Sequence, residues 1–282
     1  MRPNTTQTIL IIDYILAVGV VVVLTLTHQT NTLTNNLYGV LFLGFIPVIG
    51  GINGLIIARR WGSFKSAVGR AIIFLSLGLI SWGLGTYIFS GIYNFLLQVE
   101  VPYPSLADVG YIISLPLWVY GMVQLSRAMG ATYGLKSSKG KVFLLIIPCF
   151  VIAISYYLLV FVARDGVLSF SWSDAQKLFF DFAYPIGDVV ILTLVTLVYG
   201  LSYNFFGGGY KKAIYSILFG FILMYLADFS FSYTTTIETF FPANWVDLLF
   251  TSAVFVLSMG VSILDPTKLY KDALSNPKNL NA

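Results

Sequence analysis

The stretch AIYSILFGFILMYLADFSFSY, residues 213–233, decides the class of this chain. It is an apolar run of the length needed to cross a bilayer, about 20 residues. Its one ionisable carboxyl, Asp228, has no Lys or Arg inside the run to neutralise it. A second run, residues 179–203, carries Asp181 and, deeper, Asp188, again with no Lys or Arg inside it. A carboxyl at the centre of a bilayer costs about 2.5–3.5 kcal/mol on insertion scales, so it faces a bundle interior or a wet cavity and marks a functional-site candidate.

Composition agrees with a membrane solvent. The chain has 282 residues, is 57% hydrophobic and has a mean hydropathy of +0.85. Only 10% of residues are charged, against roughly 25% in soluble domains. The net charge of +4 does not point to nucleic acid, because the basic residues lie in short loops between apolar runs. One Cys, Cys149, permits no internal disulfide, and one His, His28, with one Cys excludes the usual imidazole or thiolate metal site.

Eight spans are predicted, making the fold all-α and polytopic: Thr8–Thr27, Leu37–Ala58, Ala71–Gln98, Ser105–Ser126, Val142–Val162, Gln176–Tyr203, Ala213–Thr235 and Trp245–Leu264. The first is read as a retained helix. A signal peptide would have an apolar region of about 7–15 residues ending in a small-x-small site, whereas this run continues to Thr-His-Gln-Thr-Asn. Residues 1–264 form one membrane domain and 265–282 a short tail. Fourteen of the sixteen basic residues fall on one side of this arrangement, leaving only Arg164 and Lys177 opposite. The positive-inside rule then places both termini in the cytoplasm of a cell-membrane protein. Gly50 with Gly54, and Gly78, Ser81 and Gly85 on one face of the third span, are sites for close helix packing.

The last six spans read as three copies of a hairpin whose returning helix opens with a polar cap. Those openings are Tyr103-Pro-Ser-Leu-Ala-Asp108, Ser173-Asp-Ala-Gln176 and Pro242-Ala-Asn-Trp-Val-Asp247. Ser105 with Asp108 and Ser173 with Gln176 are capping-box patterns, and Asn244 with Asp247 is a close variant. Capping accounts for Asp108 and Asp247, and Asp174 and Glu238 read as solvated loop acids. Asp13 is expected near the cytoplasmic face, paired with Arg70 or Lys65.

Asp188 and Asp228 resist such explanations. Asp188 lies about 18 Å along its helix from Gln176, and Asp228 about 12 Å from the outer end of the seventh span. Asp181, Tyr184 and Asp188 share one helical face, and Pro185 removes a backbone hydrogen bond there and is expected to kink the helix. Tyr93, Tyr103 and Trp245 read as interfacial anchors, while Trp82 and Trp118 sit deeper, where they could line a pocket.

Pro102-Tyr-Pro-Ser-Leu-Ala-Asp108-Val-Gly-Tyr111, Tyr184-Pro-Ile-Gly-Asp188 and Leu226-Ala-Asp228, followed by Trp245 and Asp247, resemble the polytopic membrane input domains found N-terminal to some bacterial diguanylate cyclases and phosphodiesterases. The resemblance spans roughly residues 102–264. It implies a membrane sensory role with Asp108, Tyr184, Asp188, Asp228 and Asp247 as carried-over positions. The chain ends eighteen residues after its last span, so the expected output passes through a membrane or cytoplasmic partner.

Several chemistries are excluded. A retinal pigment needs a buried Lys away from the span ends, metal-dependent membrane hydrolases need His clusters, and a Ser-His-Asp triad is disfavoured by the single His. Gly207-Gly-Gly209 lacks the Lys-Ser/Thr of a phosphate loop. Aspartyl proteolysis lacks its usual sequence context. The leading expectation is a non-enzymatic sensor that binds a small ligand or cation of unknown identity near Asp188, Asp228, Tyr184, Asp108, Asp247 and Asp181. The alternatives are a cation- or proton-coupled transporter or channel, and an accessory subunit of a membrane complex. No cofactor is identified.

Overall fold

The computed structural model describes residues 3–30, 33–128, 138–162, 175–202 and 211–267. All of the regular structure in them is helical. The rods are α1 (Thr5–Leu26), α2 (Leu33–Arg60), α3 (Ala67–Leu97), α4 (Leu106–Ala128), α5 (Ser138–Tyr156, continued by the wider turns Tyr157–Val162), α6 (Ala175–Ser202), α7 (Lys211–Thr236) and α8 (Trp245–Ile263). Seven described helices are long and apolar enough to cross a membrane, and α6 contributes the shorter apolar stretch Ala183–Tyr199. The chain is a multi-pass membrane protein. Hydrocarbon leaves backbone N–H and C=O groups no partner but each other, which is why apolar runs of this length become helices.

The rods correspond to the expected spans, with ends displaced by a few residues. α1 begins earlier than expected because Asn4 and Gln7 form a reciprocal capping box, each side chain bonding the other's backbone N–H at 2.7 and 3.0 Å. Pro116, Pro148 and Pro185 lie inside α4, α5 and α6, which continue through them. Hydropathy did not reveal the π-helical stretches Gly39–Gly44 in α2 and Tyr87–Leu97 in α3. These pack on each other, with Gly39 against Ser90 and Gly44 against the Tyr87 ring. The Ser173–Gln176 cap and the Asp174 reading fall on Ser173 and Asp174, outside the described residues, whereas Glu238 is exposed as expected.

Small residues let the rods approach. Gly50 sits on Ser258 of α8, and Gly54 on Ser76 of α3 and Val261 of α8. Gly78 is covered by the Trp118 indole. Ser81 donates to the Gly110 carbonyl at 2.7 Å. A Cβ on Gly110 would lie 2.7 Å from the Gly85 nitrogen and 2.8 Å from the Ser81 oxygen, closer than real Cβ atoms come. Trp118 is 2% exposed and stacked edge-on against Phe221, so its part is in the core rather than in a pocket lining.

α2 and α8 are joined along their length by polar contacts. Asn35 Nδ2 donates to the Pro242 carbonyl (3.0 Å), the Tyr38 hydroxyl meets Thr251 Oγ1 (2.9 Å), Asn53 Nδ2 donates to Ser262 Oγ (3.1 Å) and Trp61 Nε1 to the Leu264 carbonyl (2.8 Å). Arg60 and Asp265, 2.5 Å apart, make the one ion pair among the described residues. Partial burial pushes the Asp265 carboxyl up, but Arg60 and the Thr267 hydroxyl and N–H, which donate to Asp265, outweigh it and hold the carboxyl below its ordinary value.

Two outcomes are expected. Gly110→Ala should destabilise the protein in lipid nanodiscs by about 1–3 kcal/mol, the cost of overpacking a tight contact. Gly19→Ala, where nothing lies within 4 Å, should leave the unfolding midpoint unchanged; equal effects would contradict the packing. A carboxyl held low in the folded state adds stability that is complete above its unfolded value, about 3.9, and fades as pH falls through the folded one. The gap in thermal midpoint between wild type and Asp265→Asn should therefore narrow on acidification, and a constant gap would rule the latch out as its source.

Candidate functional site

The N-terminal ends of α4 and α8 are built by their caps. Ser105 N–H and Oγ–H both donate to Asp108 Oδ2 (2.6 and 2.9 Å), and the Ala107 N–H donates to Ser105 Oγ (3.2 Å). Asn244 Oδ1 accepts from the N–H groups of Val246 and Asp247 (2.8 and 3.2 Å). Asp247 Oδ2 reaches back to the Ala243 N–H at 2.7 Å, one residue before the donor a standard capping box would use. Both acids are therefore caps, as their sequence context predicts, and each is buried.

Asp108 has a second task. Its other oxygen, Oδ1, accepts from the Tyr184 hydroxyl on α6 at 2.6 Å. The expected shared face of α6 thus divides between two neighbours. Tyr184 turns to α4, and Asp188 turns to α7, where its side chain is hydrogen-bonded to Asp228. A bond between two carboxyls needs one of them to keep its proton as the donor. Both are partly enclosed. Gly187 allows this crossing, since a Cβ there would press into Leu115 of α4 at 2.5 Å. Asp181 lies on α6 one turn before Tyr184, with its side chain outside the described residues.

Tyr111 links the two halves of the site, although in the sequence it stands out only as the end of the Pro102–Tyr111 segment. Its hydroxyl donates to Thr86 Oγ1 at 3.4 Å, and it lies within electrostatic reach of Asp247, Asp108 and Asp228. Trp82 lies beside it at 5.5 Å between ring centroids and 5.7 Å from Phe250, joining the wall of the site. Tyr225, whose hydroxyl donates to Ser155 Oγ at 2.9 Å, is within electrostatic reach of Asp188. Four helices, α4, α6, α7 and α8, therefore bring Asp108, Tyr184, Asp188, Asp228 and Asp247 to one region of the bundle.

No basic side chain takes part in any of these contacts. Among the described residues no group of three or more His, Cys, Asp or Glu could hold a metal ion. The carboxyls instead meet hydroxyls, backbone N–H groups and each other, an arrangement suited to carrying protons or attracting a small positively charged ligand.

The expected pairing of Asp13 with Arg70 or Lys65 is not formed. Arg70 is committed to Gln124 Oε1 (3.2 Å) and the Phe64 carbonyl (2.8 Å), and Lys65 is exposed in the turn after α2. Nor is Asp13 near the cytoplasmic face. Its neighbour Tyr14 bonds Ser252 at 2.9 Å and stacks on Phe255 at 4.3 Å, and both lie in the middle of α8. The early start of α1 carries Asp13 to that depth.

Comparison with protein-family models, curated proteins and solved structures returns no match. The bond between Tyr184 and Asp108 is open to a double-mutant cycle with Tyr184→Phe and Asp108→Asn. A coupling of about 0.6–1.7 kcal/mol is expected, the range for hydrogen bonds between membrane helices. Additive effects would show that α4 and α6 are not joined there.

Proposed function

We propose that this chain is a non-enzymatic membrane sensor or receptor module that takes a small ligand or cation in its outer half, beside Asp188, Asp228 and Tyr111. The observation that carries the reading is the convergence of acids from four helices on one region with no basic partner. Carboxyls are too costly in hydrocarbon to be placed there in such number as filler. A ligand drawn between α6 and α7 would separate or bridge Asp188 and Asp228, and α6 lacks a backbone bond at Pro185, so its outer half is the part best able to yield. The signal then reaches a membrane or cytoplasmic partner at the opposite end of the bundle. The resemblance of the Pro-Ser-Leu-Ala-Asp108 and Tyr184-Pro-Ile-Gly-Asp188 segments to membrane input domains supports the same reading.

Its topology is eight spans in a cell membrane, with both termini cytoplasmic and the last six helices as three hairpins. Two features support this. Arg59, Arg60, Lys65, Arg70, Arg127, Lys141, Lys211 and Lys212 all fall at the same-side ends of alternately directed rods. Two of the hairpins also make corresponding contacts. Gly121, thirteen residues after Asp108, meets Leu75, and Gly260, thirteen after Asp247, meets Ile217. Gly78 faces Trp118, as Gly220 faces Leu257, at matching offsets.

A cation- or proton-coupled transporter is the second reading. It is favoured by Asp13, which extends the acids to the middle of the bundle.

The test is a thermal-shift screen of the protein in nanodiscs against alkali, alkaline-earth and small organic cations, with proton and cation flux measured in proteoliposomes. At least one cation should stabilise wild type but not Asp188→Asn, with no flux above empty liposomes. Flux abolished by Asp188→Asn would move the assignment to the transporter. Stabilisation untouched by that substitution would remove the site from Asp188.

A further inference from the structure

Away from the outer site, one carboxyl is left with an unanswered charge. Asp13 Oδ2 on α1 is enclosed and has no hydrogen-bond partner. It lies at the depth of Ser252 and Phe255, where Tyr14 docks on α8. The titratable groups around it are all acidic or phenolic. Tyr38 of α2 and Tyr87 of α3 are within its electrostatic reach, Tyr14 neighbours it on α1, and Asp247 of α8 also acts on Tyr38. No Lys or Arg pairs with it among the described residues, whose one ion pair is Arg60 with Asp265. Asp13 as a whole is half-buried, and a carboxylate oxygen shut away without a donor or counter-charge is costly for a bundle to hold.

We propose that Asp13 anchors a second site, for a small monovalent cation (a proton or an alkali ion), where α1 meets α2, α8 and Tyr87. Only a small positive species can reach an oxygen so enclosed, and phenol oxygens are suitable neighbours for either. The Tyr38 hydroxyl donates to Thr251 Oγ1, because the Thr251 hydroxyl already donates to the Asp247 carbonyl at 2.7 Å. Tyr38 is thus within electrostatic reach of both Asp13 and Asp247. Occupancy at Asp13 changes the field at Tyr38 and, through Thr251, the helix that carries Asp247. This second site does not depend on the outer one being a ligand site.

Two arms separate the two cations, both on the full chain in nanodiscs. In the first, the infrared carbonyl stretch of protonated carboxyls is titrated with pH in buffer free of alkali ions. In the second, the unfolding midpoint is followed against sodium and potassium at fixed pH, where a bound ion stabilises by mass action. A titrating carboxyl band present in wild type and Asp188→Asn but missing in Asp13→Asn identifies a proton. A salt-dependent midpoint lost only in Asp13→Asn identifies an alkali ion. Should Asp13→Asn not fold, Asp13→Glu should retain the response and Tyr38→Phe should shift its midpoint. A response identical in wild type, Asp13→Asn and Tyr38→Phe, or no response in either arm, overturns the proposal.

Discussion

A carboxyl group inside hydrocarbon has few places to go, and this bundle is organised around that limit. Asp13, Asp108, Asp188, Asp228 and Asp247 lie within the helices, and no Lys or Arg pairs with any of them among the described residues. Asp13 Oδ2 is left without a hydrogen-bond partner, and the other four are answered in different ways. Asp108 takes a backbone N–H and two hydroxyls, Asp247 takes a backbone N–H, and Asp188 and Asp228 take each other. Every one of these solutions also fastens something. Asp108 starts α4 and ties it to α6, Asp247 starts α8, and the carboxyl pair joins α6 to α7. The acids therefore act as tertiary connections before they act as a site.

The surroundings of the site are unequal in firmness. On one side α2 and α8 are linked from Asn35–Pro242 at one end to Arg60–Asp265 at the other, with glycines letting the rods close up between. On the other side α5 exposes Leu145, Ile146, Phe150 and Ile152 and encloses few of its residues. α6 rests between α4, α5 and α7, holding Tyr184 and Asp188 out to different neighbours. A braced half and a lighter half, with the acids along their seam, is a frame in which a bound charge can bias one arrangement of α6 without disturbing α2 and α8.

Much of this was legible in the residues because it is local. Length and apolarity predict the rods, and the Ser105–Asp108 and Asn244–Asp247 spacings predict caps that form nearly as expected. What escaped depends on partners distant in sequence. Nothing near Tyr111 signals that Asp108, Asp228 and Asp247 come within its electrostatic reach, and Asp188 facing Asp228 depends on how α6 rotates against α7. Trp118 looks like a pocket aromatic until Gly78 provides a seat for it. Asp13 was misplaced because charge near a basic loop suggests pairing, whereas the Asn4–Gln7 cap starts α1 earlier and Arg70 is already engaged by Gln124 and Phe64. The π-helical segments of α2 and α3 carry the same apolar pattern as the α-helix they interrupt, so hydropathy alone does not separate them.

Asp188 and Asp228 meet across α6 and α7, and the rest of the site depends on that contact. Its most direct test is cysteine cross-linking in membranes, with Asp188→Cys and Asp228→Cys combined in a Cys149→Ser background. A short bifunctional thiol reagent should join the two positions rapidly, since side chains close enough to share a hydrogen bond lie within its span even where a direct disulfide would not close, while Asp13→Cys with Asp228→Cys should stay unlinked. A folded double variant that does not cross-link, or that cross-links no faster than this control, would contradict the account.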